Sequence, residues 1–180
     1  MGELQFRIAS VHDAAAIAKV VNAAYRPVPG AGGWTHESAL IHGNRTDARQ
    51  VAALMADSTV MVGERGSKVV ACVHVELAGP EAHIGMLAVD PALQAGGIGK
   101  SLLAHAEEYA SARGAQEYVL TVIGARTELI AFYLRRGYKR TGKRLAFPPG
   151  ANSGTPLSSS LELEVLRKHS RPSPQTQPPC

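Results

Sequence analysis

The residues of this sequence best suited to chemistry form a glycine-rich turn between an apolar strand and a helix. The strand ends at Val89, Asp90 and Pro91 interrupt it, and residues 94–100 then read QAGGIGK. Glycines at such a turn allow the backbone to approach a ligand closely and to direct several N–H groups at one point. The helix N-terminus adds about half a positive charge. The turn therefore predicts a site for a pyrophosphate.

Three phosphate-binding motifs can be compared with this turn by their spacing. A P-loop matches residues 99–101 but requires a glycine where Gln94 stands. The dinucleotide fingerprint Gly-x-Gly-x-x-Gly begins at Gly97 but requires a glycine where Leu102 stands. The form Gln-x-x-Gly-x-Gly fits, with its last glycine at Gly99. The alternative is that these glycines make only a tight turn.

Two segments of the chain resemble the motifs of the GNAT acetyltransferase superfamily. Residues 87–99 (LAVDPALQAGGIG) resemble its coenzyme A motif, and residues 129–138 (LIAFYLRRGY) resemble its second motif, with the pattern Phe-Tyr-x-x-x-Gly-aromatic. The resemblance extends over residues 5–168. The sequence departs from the family at Arg126, where many members have asparagine, so the resemblance does not imply the cofactor contact of that asparagine for this chain.

This resemblance implies acetyl-CoA as co-substrate and direct acyl transfer to an amine. It implies a bulge in the strand that ends at Val89 and a gap between that strand and the next, in which the pantetheine arm pairs with the main chain. The pyrophosphate is expected on the N–H groups of the glycine turn. The cofactor-binding residues implied in this way are Leu87, Ala88, Val89, Gln94, Ala95, Gly96, Gly97, Ile98, Gly99 and Lys100.

The resemblance also implies three catalytic residues. Tyr133 is expected to protonate the leaving thiolate, and the Val89 N–H is expected to stabilise the oxyanion. His83 is expected to be the base, because a regular strand would place it on the same face as Val89. Glu76 and Glu81 are the alternatives for that role. The alternatives to catalysis are a core tyrosine for Tyr133 and a structural strand histidine for His83.

The acceptor amine is expected between the first two helices and the last hairpin. The substrate-binding residues expected there are Tyr25, Trp34, Arg45 and Glu81. Trp34 is the only tryptophan and lies in a glycine-rich loop, where aromatic residues often contact ligands, although it equally suits a lid on the helix pair. Arg26 and Arg45 suit a carboxylate on the acceptor. The resemblance also allows a homodimer.

Apolar periodicity and turn residues predict the elements that must position these residues. Their order is β-α-α-β-β-β-α-β-α-β-β, which is a mixed α/β pattern. Strands are predicted at residues 6–9, 59–63, 68–77, 82–89, 118–123, 138–147 and 159–166. Helices are predicted with Ser10 as a cap, after Thr46, from about Gly99, and with Thr127 as a cap.

Together with the resemblance, this order implies the GNAT acyl-CoA N-acyltransferase fold. We expect a central, mostly antiparallel sheet with a splayed parallel pair and about four helices. Residues 1–168 are expected to form this domain. Residues 169–180 contain prolines, serines and glutamines with almost nothing apolar, and are expected to be a disordered C-terminal tail.

Composition limits the function classes. The chain has 180 residues, of which 45% are apolar and 19% charged, with a net charge of +4 and two cysteines. These values exclude a membrane protein, a disulfide scaffold and a coiled coil. The N-terminal residues carry Glu3 and Arg7 without an apolar stretch, so we expect a cytoplasmic protein without a secretory signal. No metal-ligand spacing is present.

Two other function classes remain open at this point. A catalytically silent acyl-CoA-binding module would keep the glycine turn but release no CoA in response to an acceptor. A nucleic-acid-binding domain would require a contiguous basic face with interleaved aromatic residues, and aromatic residues are only 5% of this chain. We therefore expect no nucleic-acid partner and no membrane partner, and a small-molecule or peptide amine as acceptor.

Overall fold

The computed structural model describes residues 2–27, 37–148 and 154–170. Their main feature is a seven-stranded sheet. Helices pack on both of its faces. Within the described ranges the helices are α1 (Ala14–Tyr25), α2 (Ala48–Asp57), α3 (Ile98–Ser111) and α4 (Thr127–Leu134). The strands are β1 (Leu4–Ile8), β2 (Ile41–His42), β3 (Thr59–Arg65), β4 (Lys68–Ala78), β5 (Glu81–Val89), β6 (Glu117–Ile123), β7 (Lys139–Ala146), β8 (Thr155–Pro156) and β9 (Glu162–His169).

The strands of the main sheet lie in the order β1-β3-β4-β5-β6-β9-β7. Neighbouring strands are antiparallel except β5 and β6, which are parallel. The short strands β2 and β8 pair with each other in a separate ladder. The predicted fold class is confirmed: the sheet is mixed, mostly antiparallel, and contains one parallel pair.

Each face of the sheet carries its own apolar core. Apolar residues of α3 and α4, such as Leu102 and Ile130, pack with Val73 and Ile84 on one face. Apolar residues of α1 and α2 pack on the opposite face around Cys72 and other buried strand residues. Alternate strand residues point to opposite faces, so consecutive residues of β4 from Val69 to Val73 are all buried and apolar, some against one core and some against the other.

A bulge interrupts β5 shortly before the glycine turn. In the register with β4, Cys72 lies opposite Ala88 and His74 lies opposite Gly85, so β5 contains one extra residue. Met86 in this bulge adopts φ +49°, a left-handed conformation that is uncommon for a residue with a side chain. The extra residue reverses the alternation of side chains along β5. Residues before and after the bulge that a regular strand would place on one face therefore lie on opposite faces.

The parallel pair opens beyond its first residues. Among the described residues, β5 and β6 pair from Glu81 with Glu117 to His83 with Val119, and the bulge follows on β5. A bulge bends its strand and increases its local twist. The gap between the two strands therefore begins where the bulged strand turns away, and the expected splayed pair is confirmed.

Several predicted boundaries shift in the structure. Strand β9 begins and ends three residues later than predicted. Its later end includes Arg167 and Lys168, whose charges have acidic partners. Arg167 bonds to Glu81 at 2.6 Å and to Glu117, and Lys168 bonds to Glu107 at 2.5 Å. The strands β2 and β8 are too short to leave a periodic signal and were not predicted.

The start of α4 also differs from the prediction. Thr127 is the first residue of the helix, and Arg126 occupies the capping position without a side-chain capping bond. By contrast, the expected start near Ser10 is present: its N–H donates to the Asp13 carboxylate at 2.7 Å, and a short helical turn leads into α1.

Strand β9 continues one residue past the predicted domain boundary, and the N–H of Ser170 donates to the Gln116 carbonyl at 2.8 Å. Residues 171–180 of the predicted tail lie outside the described residues. In the part of the chain that the structure describes, no helix is both long and apolar enough to cross a membrane.

Candidate active site

The glycine turn delivers the chain from β5 to the N-terminus of α3. Gly97 is the residue before the helix and adopts φ +79°, and Ala95 adopts φ +69°. The Asp90 carboxylate accepts the N–H of Ala92 at 3.1 Å and the Lys68 ammonium at 3.0 Å, which fixes the start of the turn. Because the first N–H groups of a helix have no partner within it, α3 presents donors at this turn.

The main chain of β5 after the bulge faces the gap between β5 and β6. The N–H of Asp90 donates to the Val70 carbonyl on β4 at 2.8 Å. Successive residues point their main-chain groups to opposite sides of a strand, so those of Val89 point away from β4. The side-chain amide of Gln94 donates to the Val89 carbonyl at 3.2 Å, which agrees with this direction. Two residues earlier, the Leu87 carbonyl accepts the Tyr25 hydroxyl at 3.1 Å.

A cavity of about 350 Å³ lies against this strand end and the glycine turn, and is called the donor cavity here. It contains nine of the ten expected cofactor-binding residues; Gly96 is not among its lining residues. The residues that line it are Ala24, Tyr25, Leu87, Ala88, Val89, Leu93, Gln94, Ala95, Gly97, Ile98, Gly99, Lys100, Arg126, Leu129, Phe132, Arg135 and Arg136.

Basic residues from two helices surround the donor cavity. Lys100 comes from α3, while Arg135 and Arg136 follow α4. The Arg136 guanidinium lies 3.4 Å from the centre of the Phe132 ring and donates to the Phe132 carbonyl at 2.5 Å, so its position is fixed. Together with the helix N-terminus, these charges suit the phosphates of a nucleotide-containing ligand.

A second cavity of about 240 Å³ occupies the gap between β5 and β6, and is called the acceptor cavity here. It shares three residues with the donor cavity: Tyr25, Arg126 and Leu129. Its lining residues are Tyr25, Glu37, Ile41, Arg45, Ile84, Gly85, Met86, Leu120, Thr121, Val122, Ile123, Arg126, Leu129, Tyr133, Phe147, Pro148 and Leu163.

Tyr133 lies on α4 and lines the acceptor cavity while remaining only 4% exposed. Its ring makes edge-on contacts with Phe132 at 5.2 Å and with Tyr138 at 5.7 Å between ring centres. Burial raises the pKa of the Tyr133 hydroxyl well above its usual range, and nearby Tyr25 adds to this shift. The hydroxyl therefore keeps its proton at neutral pH.

A buried charge cluster forms one wall of the acceptor cavity. The carboxylate of Glu37, which is 3% exposed, lies 2.6 Å from the Arg26 guanidinium and 3.7 Å from that of Arg126. The guanidiniums of Arg45 and Arg126 lie 5.6 Å and 5.4 Å from the centre of the Tyr25 ring. Sequence reasoning missed Glu37, because a single acidic residue in a connecting segment carries no motif.

A comparison with protein-family models decides the family. The model described as the acetyltransferase (GNAT) family matches residues 23–138, which is more than half of the chain. The chain belongs to the GNAT acetyltransferase family. The resemblance seen in residues 87–99 and 129–138 is thereby confirmed, as is the prediction that the protein is an acyltransferase. No curated protein matches the sequence significantly.

Solved structures of GNAT proteins share this fold at low sequence identity. The ribosomal-protein-S18-alanine N-acetyltransferase of Escherichia coli is 16% identical with a TM-score of 0.70, over 97% of this chain and 99% of that one. The PaiA N-acetyltransferase of Thermoplasma acidophilum, in complex with coenzyme A, is 16% identical with a TM-score of 0.70, over 93% and 99%. The ribosomal-protein-alanine N-acetyltransferase of Brucella melitensis is 19% identical with a TM-score of 0.67, over 92% and 99%.

The expected base of this GNAT protein lies away from both cavities. His83 precedes the bulge, so it lies on the face opposite Val89, and the expected shared face does not occur. Its side chain is 46% exposed, and its Nε2 lies 3.3 Å from the Glu81 carboxylate. Glu81 itself bonds to Arg167 at 2.6 Å. Neither His83 nor Glu81 is among the residues that line the two cavities.

The remaining expected residues divide between the two parts of this GNAT site. Tyr25 and Arg45 line the acceptor cavity as expected. Glu76, the other alternative base, is exposed on β4 opposite His83. Trp34 lies outside the described residues. Arg126, noted in the sequence only as a departure from the family pattern, lines both cavities.

Proposed function

We propose that this GNAT protein transfers an acetyl group from acetyl-CoA to a primary amine of a small molecule or peptide, by direct transfer in a ternary complex. One observation carries the proposal. The donor cavity and the acceptor cavity meet at Tyr25, Arg126 and Leu129, beside the gap between β5 and β6. Two reactants bound in adjoining cavities are held at high effective concentration, and such placement supplies a large part of the rate enhancement.

The glycine turn and the first turn of α3 would hold the pyrophosphate, because their N–H groups and the helix dipole favour an anion. Lys100 adds a positive charge at the same place. The main chain of Leu87 and Val89 faces the gap. The Leu87 carbonyl is bonded to Tyr25 and the Val89 carbonyl to Gln94, so we assign the pantetheine arm to the Leu87 N–H and keep the Val89 N–H for the reacting carbonyl.

The reaction forms a C–N bond to the acceptor and breaks the C–S bond of the thioester. An ordinary alkylamine must first lose a proton, which costs roughly 4–5 kcal/mol at pH 7. The Val89 N–H would stabilise the oxyanion of the tetrahedral intermediate. Tyr133 would give its proton to the departing thiolate, and the proton released by the amine would restore the hydroxyl. His83 has no part in this proposal, since it lies away from both cavities.

Similar structures suggest which amines belong in the test. Those from Escherichia coli and Brucella melitensis are named as ribosomal-protein-alanine N-acetyltransferases. A peptide amino terminus therefore belongs in the acceptor panel together with small amines.

A calorimetric titration with acetyl-CoA, CoA and ATP tests the donor site. Micromolar binding of both CoA species without binding of ATP supports the proposal. A panel of amines, followed by release of free thiol, then tests transfer. Binding of acetyl-CoA without thiol release for any amine favours the silent acyl-CoA-binding module. Absence of binding to both CoA species overturns the donor-site assignment.

A further inference from the structure

Charge and shape in the acceptor cavity restrict the kind of amine that fits it. Within the part of the chain that the structure describes, the charged residues that line this cavity are Glu37, Arg45 and Arg126. Two guanidiniums and one carboxylate give this lining a formal charge of +1.

The position of this charge is as informative as its sign. Arg126 is 5% exposed and lies at the junction of the two cavities, next to the place where the acyl group would be transferred. Arg45 lines the acceptor cavity beside the Tyr25 ring. A negative group on the acceptor would therefore be bound close to its reacting amine, because both arginines lie near this junction.

Another part of the cavity lining is apolar. It is formed by Ile41, Ile123, Phe147 and Leu163. The whole cavity measures about 240 Å³, which is below the roughly 300–1,000 Å³ of typical ligand pockets. It therefore suits a compact acceptor with a polar end and an apolar end.

Building on the acyl transfer proposed above, we infer that the acceptor is a free α-amino acid with an apolar side chain. Arg45 and Arg126 bind its carboxylate, and the apolar wall contacts its side chain. With a neutral amine, such an acceptor carries a charge of −1, which matches the local charge of +1. A peptide amino terminus carries an amide in place of this carboxylate and offers the arginines no charge.

Matched acceptors test this inference. L-leucine, L-methionine and L-phenylalanine are compared with their amides and with isoamylamine, and kcat/KM is measured from thiol release. A charged hydrogen bond contributes enough to predict a preference of about tenfold or more for the free acids. The Arg45→Gln variant is expected to remove most of this preference by raising KM, whereas Arg45→Lys is expected to retain part of it.

The Arg49→Gln variant is the matched control, because Arg49 is an exposed arginine on α2 that lines neither described cavity. A second readout is independent of turnover. With the protein saturated with CoA, calorimetry is expected to detect N-acetyl-L-leucine but to find its amide bound at least tenfold more weakly.

The outcomes separate this inference from the proposed function. Acetylation of amides or peptides as efficiently as free acids overturns the inference and leaves the proposed function intact. Binding of acetyl-CoA without turnover of any amino acid, and without binding of N-acetyl-L-leucine, also overturns it. Absence of acetyl-CoA binding overturns the proposed function, and the inference with it.

Discussion

The Tyr25 hydroxyl donates a hydrogen bond of 3.1 Å to the main-chain carbonyl of Leu87. This bond joins the last residue of α1 to β5 directly after the left-handed residue Met86. Tyr25 also lines both cavities. One side chain thus links the bulge, the donor site and the acceptor site.

The Tyr25→Phe variant is expected to lower the free energy of unfolding by about 1 kcal/mol, because it removes one hydrogen bond. It is also expected to lower kcat/KM, since the bulge loses a contact that fixes the main chain at Leu87. Tyr109→Phe is the matched control: it removes a hydroxyl contact of 2.8 Å with Thr59 at a position outside both described cavities. Equal effects of the two variants on kcat/KM would contradict this role of Tyr25.

The Tyr133→Phe variant is expected to reduce kcat by roughly a hundredfold or more, as is typical for loss of a general acid. The dissociation constant of acetyl-CoA is expected to change less than about twofold, because the aromatic contacts are retained. Tyr138→Phe, which loses a bond of 2.8 Å to Glu107 instead, controls for removal of a buried hydroxyl. A kcat of Tyr133→Phe close to that of the parent would remove Tyr133 from the mechanism.

Alanine variants of two glycines, one at each end of α3, distinguish the effect of backbone strain from the effect on ligand binding. Gly97 adopts φ +79° before the helix and Gly114 adopts φ +92° after it. Alanine at either position is expected to cost about 1 kcal/mol of stability, since a side chain disfavours this conformation. Only Gly97 lines the donor cavity. Gly97→Ala is therefore expected to weaken acetyl-CoA binding, measured by calorimetry, whereas Gly114→Ala is not. Equal affinities of the two variants would argue against the turn as the phosphate site.

Cys72 provides a pH-dependent test of the core beneath the bulge. Burial raises the pKa of its thiol to about 12, and its Sγ lies 3.6 Å from the Met86 carbonyl. Because the pKa is raised on folding, the associated stability is complete below the unfolded value of 9.0 and is lost as the pH rises from there toward about 12.

In a Cys180→Ser background, the Cys72 thiol is expected to react with a thiol reagent at pH 8 only after denaturation. The difference in unfolding free energy between this protein and its Cys72→Ala variant is expected to shrink by about 1 kcal/mol between pH 8 and pH 10. Rapid reaction of the native protein would show that the thiol is accessible.

The residues of the donor cavity were predicted from the sequence better than those of the acceptor cavity, because most of them are close together in the chain. Residues 87–100 form one continuous strand, turn and helix start, so local spacing alone brings most of the donor cavity together. The acceptor cavity combines Glu37, Arg126 and Phe147 from distant segments. These residues follow no shared period or spacing, so only the folded chain shows that they meet.

The prediction that His83 shares a face with Val89 was wrong for a different reason. Assignment of His83 to the face of Val89 assumed regular alternation, and one extra residue in β5 reverses that alternation. The resemblance to the family implied a bulge in β5. Which residues before the bulge change face depends on the register of β5 with β4, and that register is known only from the structure. The later end of β9 was missed for another reason: Glu81 and Glu117 lie beside Arg167 only in the folded sheet, where they pair with its charge.

The short ladder between β2 and β8 ties the segment after α1 to the segment before β9. The described residues of both segments contribute to the lining of the acceptor cavity, and none of those described residues lines the donor cavity. In the proposed function these two segments therefore serve amine recognition, while Tyr25, Arg126 and Leu129 serve both sites. Mutations in the two tied segments are able to alter amine preference while the coenzyme site is preserved. This separation offers one route by which enzymes with the same fold and low sequence identity can evolve different substrates.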